Sequence, residues 1–212
     1  MEKKINAGTK TQTEKKVLII VFALNFAFFA IELATGLISN SLGLITDSAD
    51  MFADALIYGL SLFALGKAFA RKKRIAFTQC GLQTVLIAFV GFEIVRRFIF
   101  ETPLPDYKFM IIVSAFAFIA NLTSLLLLRK LNSNDTNIKA SEICSRVDCG
   151  VNLGVIVGGI LVLIFESKLP DLIISSLIFV WAARELIEMY MTASRGEVGC
   201  GCNAHEHPEV HV

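Results

Sequence analysis

The sequence predicts an all-α integral membrane protein with six transmembrane helices and both termini in the cytoplasm. Of its 212 residues, 55% are hydrophobic and only 18% are charged, whereas a soluble domain typically carries about 25% charge. The apolar residues occur in long blocks, and about 20 such residues are enough to cross a bilayer as a helix. Basic residues gather in every second connection between the blocks, as expected when alternate connections face the cytoplasm.

Six apolar blocks are the predicted spans. They cover residues 17–38, 42–68, 75–99, 109–128, 138–164 and 169–191. Asp135 or Thr136 is the expected N-cap of the fifth span, because short polar side chains accept hydrogen bonds from the first backbone N–H groups of a helix. The basic residues that place the N-terminus and two connections in the cytoplasm are Lys3, Lys4, Lys10, Lys15, Lys16, Lys67, Arg71, Lys72, Lys73, Arg74, Arg129, Lys130 and Lys139.

The chain divides into a cytoplasmic N-terminal segment at 1–16, a six-helix transmembrane transport domain at 17–191 and a short cytoplasmic tail at 192–212 that contains Cys and His. The first apolar block is longer than a signal-peptide core, so we expect it to be retained. The expected location is the cell membrane, with the lipid bilayer as a partner. A net charge of +1 gives no reason to expect nucleic-acid binding.

Enzymatic activity is not indicated, because the chain has no GxSxG, P-loop or HExxH pattern and no evident nucleophile–base pair. We therefore expect no catalytic residue and no prosthetic group. Charged residues inside the predicted spans are the more informative feature, since each costs several kcal/mol in lipid and therefore suggests a function.

Predicted span two contains three aspartates on one helix face. Asp47, Asp50 and Asp54 are separated by three and four residues, the spacing of neighbours along a helix surface. Asp54 lies about 18 Å into the span at 1.5 Å per residue, which is close to the middle of the membrane. Span two has no Lys or Arg before position 67. Pairing with Arg146 or protonation of the carboxyls is the alternative interpretation.

Predicted span five presents a complementary face, on which Cys144, Asp148 and Asn152 recur every four residues. If the antiparallel spans two and five pack together, Asp50 meets Asp148 and Asp54 meets Cys144. Three carboxylates and one thiolate can form a tetrahedral site that suits zinc, whereas sulfur disfavours magnesium and calcium. The predicted transport site is therefore Asp50, Asp54, Cys144 and Asp148.

Asp47 and Asn152 are weaker candidates for metal ligation. Asp47 lies nearer the outer end of its span, where packing or the pore entrance is an alternative role. For Asn152 the alternative is a hydrogen bond between helices.

Charge counting predicts an exchange mechanism. Four ionised ligands carry four negative charges, of which a divalent cation cancels two, so the empty site should take up protons. Metal binding then releases protons, because ligands bind in the deprotonated form. The expected partners are divalent metal ions and protons.

The tail holds a second group of metal-binding residue types: Cys200, Cys202, His205 and His207. They predict metal capture at the cytoplasmic mouth. The alternative is a solvated tail with incidental ligand types, because the segment is short and rich in Gly.

Two other classes of function stay open at this point. A membrane metal sensor or metallochaperone partner would use the same residues without transport. An exporter of organic cations would place aromatic residues around the carboxylates, where only Phe52 and Tyr58 are near, and would give Cys144 no role.

The motifs resemble the cation diffusion facilitator family, in its short form without a cytosolic C-terminal domain. The resemblance covers nearly the whole hydrophobic region. It is carried by Asn25, Glu32 and Gly36 in span one, by the run from Ser39 to Asp54, by Cys144-Ser-Arg-Val-Asp148 and by Pro170-Asp171. It implies a six-helix transporter, usually homodimeric, that exports zinc or related divalent ions from the cytoplasm against proton entry.

The family's site positions correspond to Asp50, Asp54, Cys144 and Asp148. Cys144 stands where the family commonly has His or Asp, so the resemblance implies softer ions such as cadmium, or zinc bound through sulfur, and cobalt among the related ions. The Cys-Ser-Arg-x-Asp motif looks like that of a short bacterial subgroup, for which the location would be the cytoplasmic membrane.

Overall fold

The structure is a computed structural model that describes residues 2–64, 69–132 and 136–195. These residues form six α-helices and no strands. The helices are α1 (Glu2–Ile38), α2 (Leu42–Ala64), α3 (Phe69–Ile99), α4 (Tyr107–Lys130), α5 (Thr136–Phe165) and α6 (Leu169–Arg195). The predicted tail ligands Cys200, Cys202, His205 and His207 lie outside the described residues.

Helices α2, α4, α5 and α6 begin within two residues of the predicted spans, whereas α1 and α3 begin earlier than predicted. The largest difference is in α1, which starts at Glu2 and includes most of the polar N-terminal segment. A helix does not have to end where the bilayer ends, because its backbone hydrogen bonds are made within the segment in water as in lipid. The first predicted span is therefore the apolar part of a longer helix.

The surface of the bundle is apolar. Large hydrophobic side chains are exposed along the helices, among them Phe116, Ile164 and Leu177, and a continuous surface of this kind suits lipid rather than water. By length and hydropathy alone, and within the described residues, segments of three helices qualify as spans: Gln12–Ile38, Tyr107–Lys130 and Ser141–Phe165. Helix α2 is less uniformly apolar because it carries its three aspartates. The all-α membrane fold predicted from the sequence is confirmed.

Helix α2 is the centre of the bundle and contacts all five other helices. Helix α1 packs along α2, α4 packs along α5, and α3 pairs with α6. One apolar cluster joins Leu42, Ile45 and Ala49 of α2 to α3 and α6, and another joins Leu44 to α4, α5 and α6. The helix with the aspartates is therefore enclosed by protein over its outer half.

The connections between α1 and α2, α3 and α4, and α5 and α6 meet at one end of the bundle, which we call the outer end after its predicted orientation. The Asp106 N–H donates to the Ser39 carbonyl at 2.9 Å, and Lys168 Nζ donates to the Phe100 carbonyl at 3.0 Å. Arg97 Nη1 donates to the Asn40 carbonyl. The turn between α1 and α2 needs a positive φ of 54° at Asn40, a conformation that asparagine tolerates well.

Candidate metal site

Helix α2 buries all of its aspartates. Asp47, Asp50 and Asp54 are 0%, 5% and 6% exposed, and the spacing of three and four residues places them on one face of the helix. Full burial of three carboxyl groups on one face is energetically costly unless cations, protons or hydrogen bonds compensate their charge.

Helix α5 buries the three predicted residues opposite. Cys144 and Asp148 are each 3% exposed, and Asn152 is fully buried. Two polar contacts define how α5 lies against α2. Asn152 Nδ2 donates to Asp47 Oδ1 at 3.5 Å, and the Tyr58 hydroxyl donates to the Ser141 carbonyl at 3.3 Å.

The two contacts span equal lengths of the two helices, from residue 47 to 58 on α2 and from residue 141 to 152 on α5. The two helices run antiparallel. Residues between the contacts therefore face each other in reverse order. Asp50 lies level with Asp148, and Asp54 lies level with Cys144, which is the register expected from the sequence. The carboxyl group of Asp148 is also close enough to those of Asp50 and Asp54 to interact with them electrostatically.

The alternative of neutralisation by Arg146 has no support in the geometry. The Arg146 side chain is 63% exposed and lies 4.0 Å from Glu142, which also pairs with Arg129 at 2.9 Å. Within the described part of the chain, none of the ion pairs involves an aspartate of α2 or Asp148. The buried acids of α2 and α5 therefore lack a protein cation among these residues.

No three side chains of His, Cys, Asp or Glu in residues 2–64, 69–132 and 136–195 lie close enough together to form a ready-made metal cage. Metal coordination by Asp50, Asp54, Cys144 and Asp148 thus stays a prediction. Since the metal ligand is the thiolate, Cys144 can ligate only in its reduced form.

Two residues of the site were missed by sequence reasoning. Glu185 of α6 is close enough to Asp50, Asp54 and Asp148 to interact electrostatically, and its carboxylate accepts a hydrogen bond from Trp181 Nε1 at 3.0 Å. The sequence alone could have identified Glu185 as a candidate, because it is an ionisable residue inside predicted span six.

The second missed residue is Tyr58, whose hydroxyl lies 3.2 Å from Asp54 Oδ2. It is fully buried one turn after Asp54 and also reaches α5 through the contact with Ser141. It therefore positions one carboxylate of the candidate site relative to the facing helix.

Asp171 of α6 holds the start of α2 in place. Its carboxylate accepts hydrogen bonds from the Leu42 N–H at 2.7 Å, the Gly43 N–H at 2.9 Å and the Ser41 hydroxyl at 3.1 Å. The first N–H groups of a helix have no carbonyl partner within the helix, so Asp171 supplies their acceptor. The aspartate face of α2 is therefore anchored to α6 as well as to α5.

Comparison with known proteins agrees with this architecture. A family model described as the cation efflux transmembrane domain matches residues 18–194. A comparison with curated proteins found no match. The matched segment spans most of the chain and includes residues of all six helices, the facing acids of α2 and α5 among them. The chain therefore belongs to the cation efflux family of transmembrane proteins.

Proposed function

We propose that the protein exports zinc or a similar divalent ion, such as cadmium or cobalt, from the cytoplasm in exchange for protons. The observation that supports this most directly is the burial of Asp50, Asp54 and Asp148 on facing helices, with no protein cation paired to them among the described residues. Membership of the cation efflux family establishes transmembrane cation export in general terms.

A divalent cation suits the charge of the site better than a monovalent one. Three carboxylates from α2 and α5 would leave a large negative charge in a region of low dielectric constant, where unpaired charges are costly. A metal with two positive charges compensates more of that charge in one binding event. The electrostatic contacts between Asp54, Asp148 and Glu185 extend the negative region towards α6.

Proton exchange follows from the same charge balance. When the metal leaves, the buried carboxylates must regain positive charge, and protons are the smallest cations that can enter a closely packed interior. Metal binding to protonated ligands releases these protons again. Protons bound on one side of the membrane and released on the other would therefore return the empty site and drive the next metal ion outward.

The donor set favours ions that accept both oxygen and sulfur. Carboxylates alone would suit magnesium or manganese, whereas a thiolate favours zinc and softer ions. Cys144 supplies that thiolate only in its reduced form, which is the usual state in a reducing cytoplasm. We place the protein in the cell membrane, and a homodimer is the assembly implied by the family resemblance.

Transport by purified protein in vesicles tests this proposal. Proteoliposomes that contain a zinc-sensitive dye and a reductant should accumulate zinc when the wild-type chain is present. Asp54→Asn and Asp148→Asn should abolish this uptake, because each removes a charged ligand without a large change in volume. Asp106→Asn is the matched control, since Asp106 only caps α4 by accepting from the Lys108 N–H at 2.9 Å, and asparagine caps helices equally well.

The same variants separate a transporter from a metal sensor. A wild-type chain that binds zinc but never moves it into vesicles would support the sensor or metallochaperone alternative and overturn the proposed export. Uptake that survives Asp54→Asn and Asp148→Asn would place the transport site elsewhere in the chain.

A further inference from the structure

Polar contacts hold the three connections at the outer end together, and Arg97, near the end of α3, takes part in several of them. Arg97 is 5% exposed. Its Nη1 donates to the Asn40 carbonyl in the turn between α1 and α2, and its Nε lies 3.4 Å from Glu93 Oε2. Its guanidinium group is also close enough to the Asp171 carboxylate of α6 to interact electrostatically. One buried cation thus links α3 to α6 and to the turn before α2.

Lys168 holds the same end of α3 from the connection between α5 and α6. Its Nζ donates to the Arg97 carbonyl at 3.1 Å and to the Phe100 carbonyl at 3.0 Å. The last carbonyls of a helix have no N–H partner within the helix, so the ammonium group supplies a donor for them. We call these contacts of Arg97 and Lys168 the outer clamp.

The outer clamp lies between the candidate metal site and the outer end of the bundle. Asp50 follows Leu42, the first residue of α2, by eight residues, which is about 12 Å along the helix axis. In this interval Leu44 and Ile45 are buried in apolar clusters that reach α3, α4, α5 and α6, and Asp47 is fully buried. An ion that leaves Asp50 outward therefore has to open this end of the bundle.

We propose that the outer clamp closes the outer end of the protein and opens each time an ion is released outward. This role depends on the proposed export, because only a transported ion has to pass the outer end. Its contacts suit repeated opening, since charged groups hold backbone carbonyls at the end of the bundle, where water can replace each hydrogen bond at a small net cost. Loss of the clamp should therefore favour the state that is open outward.

Labelling of a buried cysteine from the outside tests the inference. Val155 of α5 is fully buried, and a Cβ at Gly43 would lie 3.3 Å from one of its methyl carbons, so Val155 lies beside the start of α2. Val155→Cys changes the side-chain volume little. A membrane-impermeant methanethiosulfonate reagent, added to right-side-out vesicles that contain the full-length chain, should react there only when the outer end opens. Each variant without Val155→Cys gives the background from the native cysteines.

Two variants weaken the clamp, and a neighbouring arginine provides the matched control. Arg97→Gln should raise the rate of labelling at Val155→Cys at least tenfold. Lys168→Gln should raise it at least threefold, and its half-buried side chain lies on a connection, so this variant is less exposed to a folding failure. Arg96→Gln should leave the rate unchanged, because the Arg96 side chain is 42% exposed and its ion pair, 2.8 Å long, is with Glu93 of its own helix.

A second reporter distinguishes opening of the outer end from a general loosening of the fold. Val21 of α1 is fully buried in the apolar cluster with Tyr58 and Leu128 at the other end of the bundle. Labelling of Val21→Cys in inside-out vesicles should not become faster in Arg97→Gln. A brace that serves only stability would instead raise the labelling rates of both reporters.

Equal labelling of Val155→Cys in Arg97→Gln and Arg96→Gln overturns the inference, and so does an unchanged rate in Lys168→Gln. An equal rise at Val21→Cys overturns it as well, because the clamp would then only stabilise the fold. Labelling is measured without transport. A chain whose clamp variants label faster from the outside alone, but which moves no zinc into vesicles, would therefore keep the closure at Arg97 while overturning the proposed export.

Discussion

The anchoring of α2 by Asp171 can be tested by removing its carboxylate. Asp171 is 1% exposed and accepts from two backbone N–H groups, those of Leu42 and Gly43, at 2.7 and 2.9 Å. Asp171→Ala leaves both donors buried without an acceptor. An unsatisfied buried donor costs about 1–3 kcal/mol of folding stability, which gives about 2–6 kcal/mol for the two donors. Part of this cost is offset because the variant no longer buries a carboxylate. We therefore expect the free energy of unfolding to fall by about 2–4 kcal/mol.

The conservative variant Asp171→Asn should be less destabilising than Asp171→Ala. Its side chain keeps one acceptor oxygen, so the free energy of unfolding should fall by about 1–2 kcal/mol, half of the effect of alanine. Asp106→Ala is the reference for an ordinary cap, because Asp106 accepts from one N–H group on α4. A cap of that kind is worth about 0.5–2 kcal/mol. Asp171→Ala should therefore be clearly more destabilising than Asp106→Ala.

Unfolding by SDS in mixed micelles, followed by the fluorescence of the single tryptophan, Trp181, measures these free energies. The transition midpoint should shift in the order wild type, Asp171→Asn, Asp171→Ala. Unfolding of Asp171→Ala at the same SDS fraction as Asp106→Ala would refute the anchoring role of Asp171, because a carboxylate that satisfies two buried donors cannot be equivalent to an ordinary surface cap.

Three other variants examine the helix start and the site. Gly43→Ala would place a methyl group 2.9 Å from the Asp171 carboxylate and should lower the free energy of unfolding by about 1–2 kcal/mol in the same SDS titration. Its control is Gly154→Ala, which should not destabilise the protein, because the nearest atom to the added methyl group is 3.9 Å away. Tyr58→Phe removes the hydroxyl 3.2 Å from Asp54 and should raise the KM for zinc uptake about tenfold, the factor for about 1.4 kcal/mol; an unchanged KM contradicts a positioning role. Cys144→Asp should lower the ratio of cadmium to zinc uptake about tenfold, and an unchanged ratio would mean that the sulfur does not ligate the ion.

The helical architecture and the facing register of α2 and α5 could be predicted from the sequence. Long apolar blocks define helices because lipid leaves no other partner for the backbone. The spacing of Asp50 and Asp54 against Cys144 and Asp148 defines which faces meet, since a charged face in a span has to face protein. Both predictions need only the spacing of residues along a single helix and the fact that α2 and α5 run antiparallel.

Contacts between distant helices could not be predicted in the same way. The contact of Asp171 with the start of α2 joins residues about 130 positions apart. The interaction of the Glu32 carboxyl group on α1 with that of Asp47 on α2 depends on the rotation of one helix against the other. Neither follows from a repeat within one helix. Glu185 is different, because it is an ionisable residue inside predicted span six and could have been selected on that ground, and only its partners required the structure.

The central claim is that buried acids exchange a divalent metal ion for protons, and simultaneous measurement of both fluxes tests it most directly. Vesicles that contain a zinc dye and a pH dye should show alkalinisation of the interior as zinc enters, and an acidic interior should speed zinc entry. Both signals should disappear together in Asp148→Asn. Zinc entry at an equal rate with and without the pH gradient, and with no proton movement, would contradict the account.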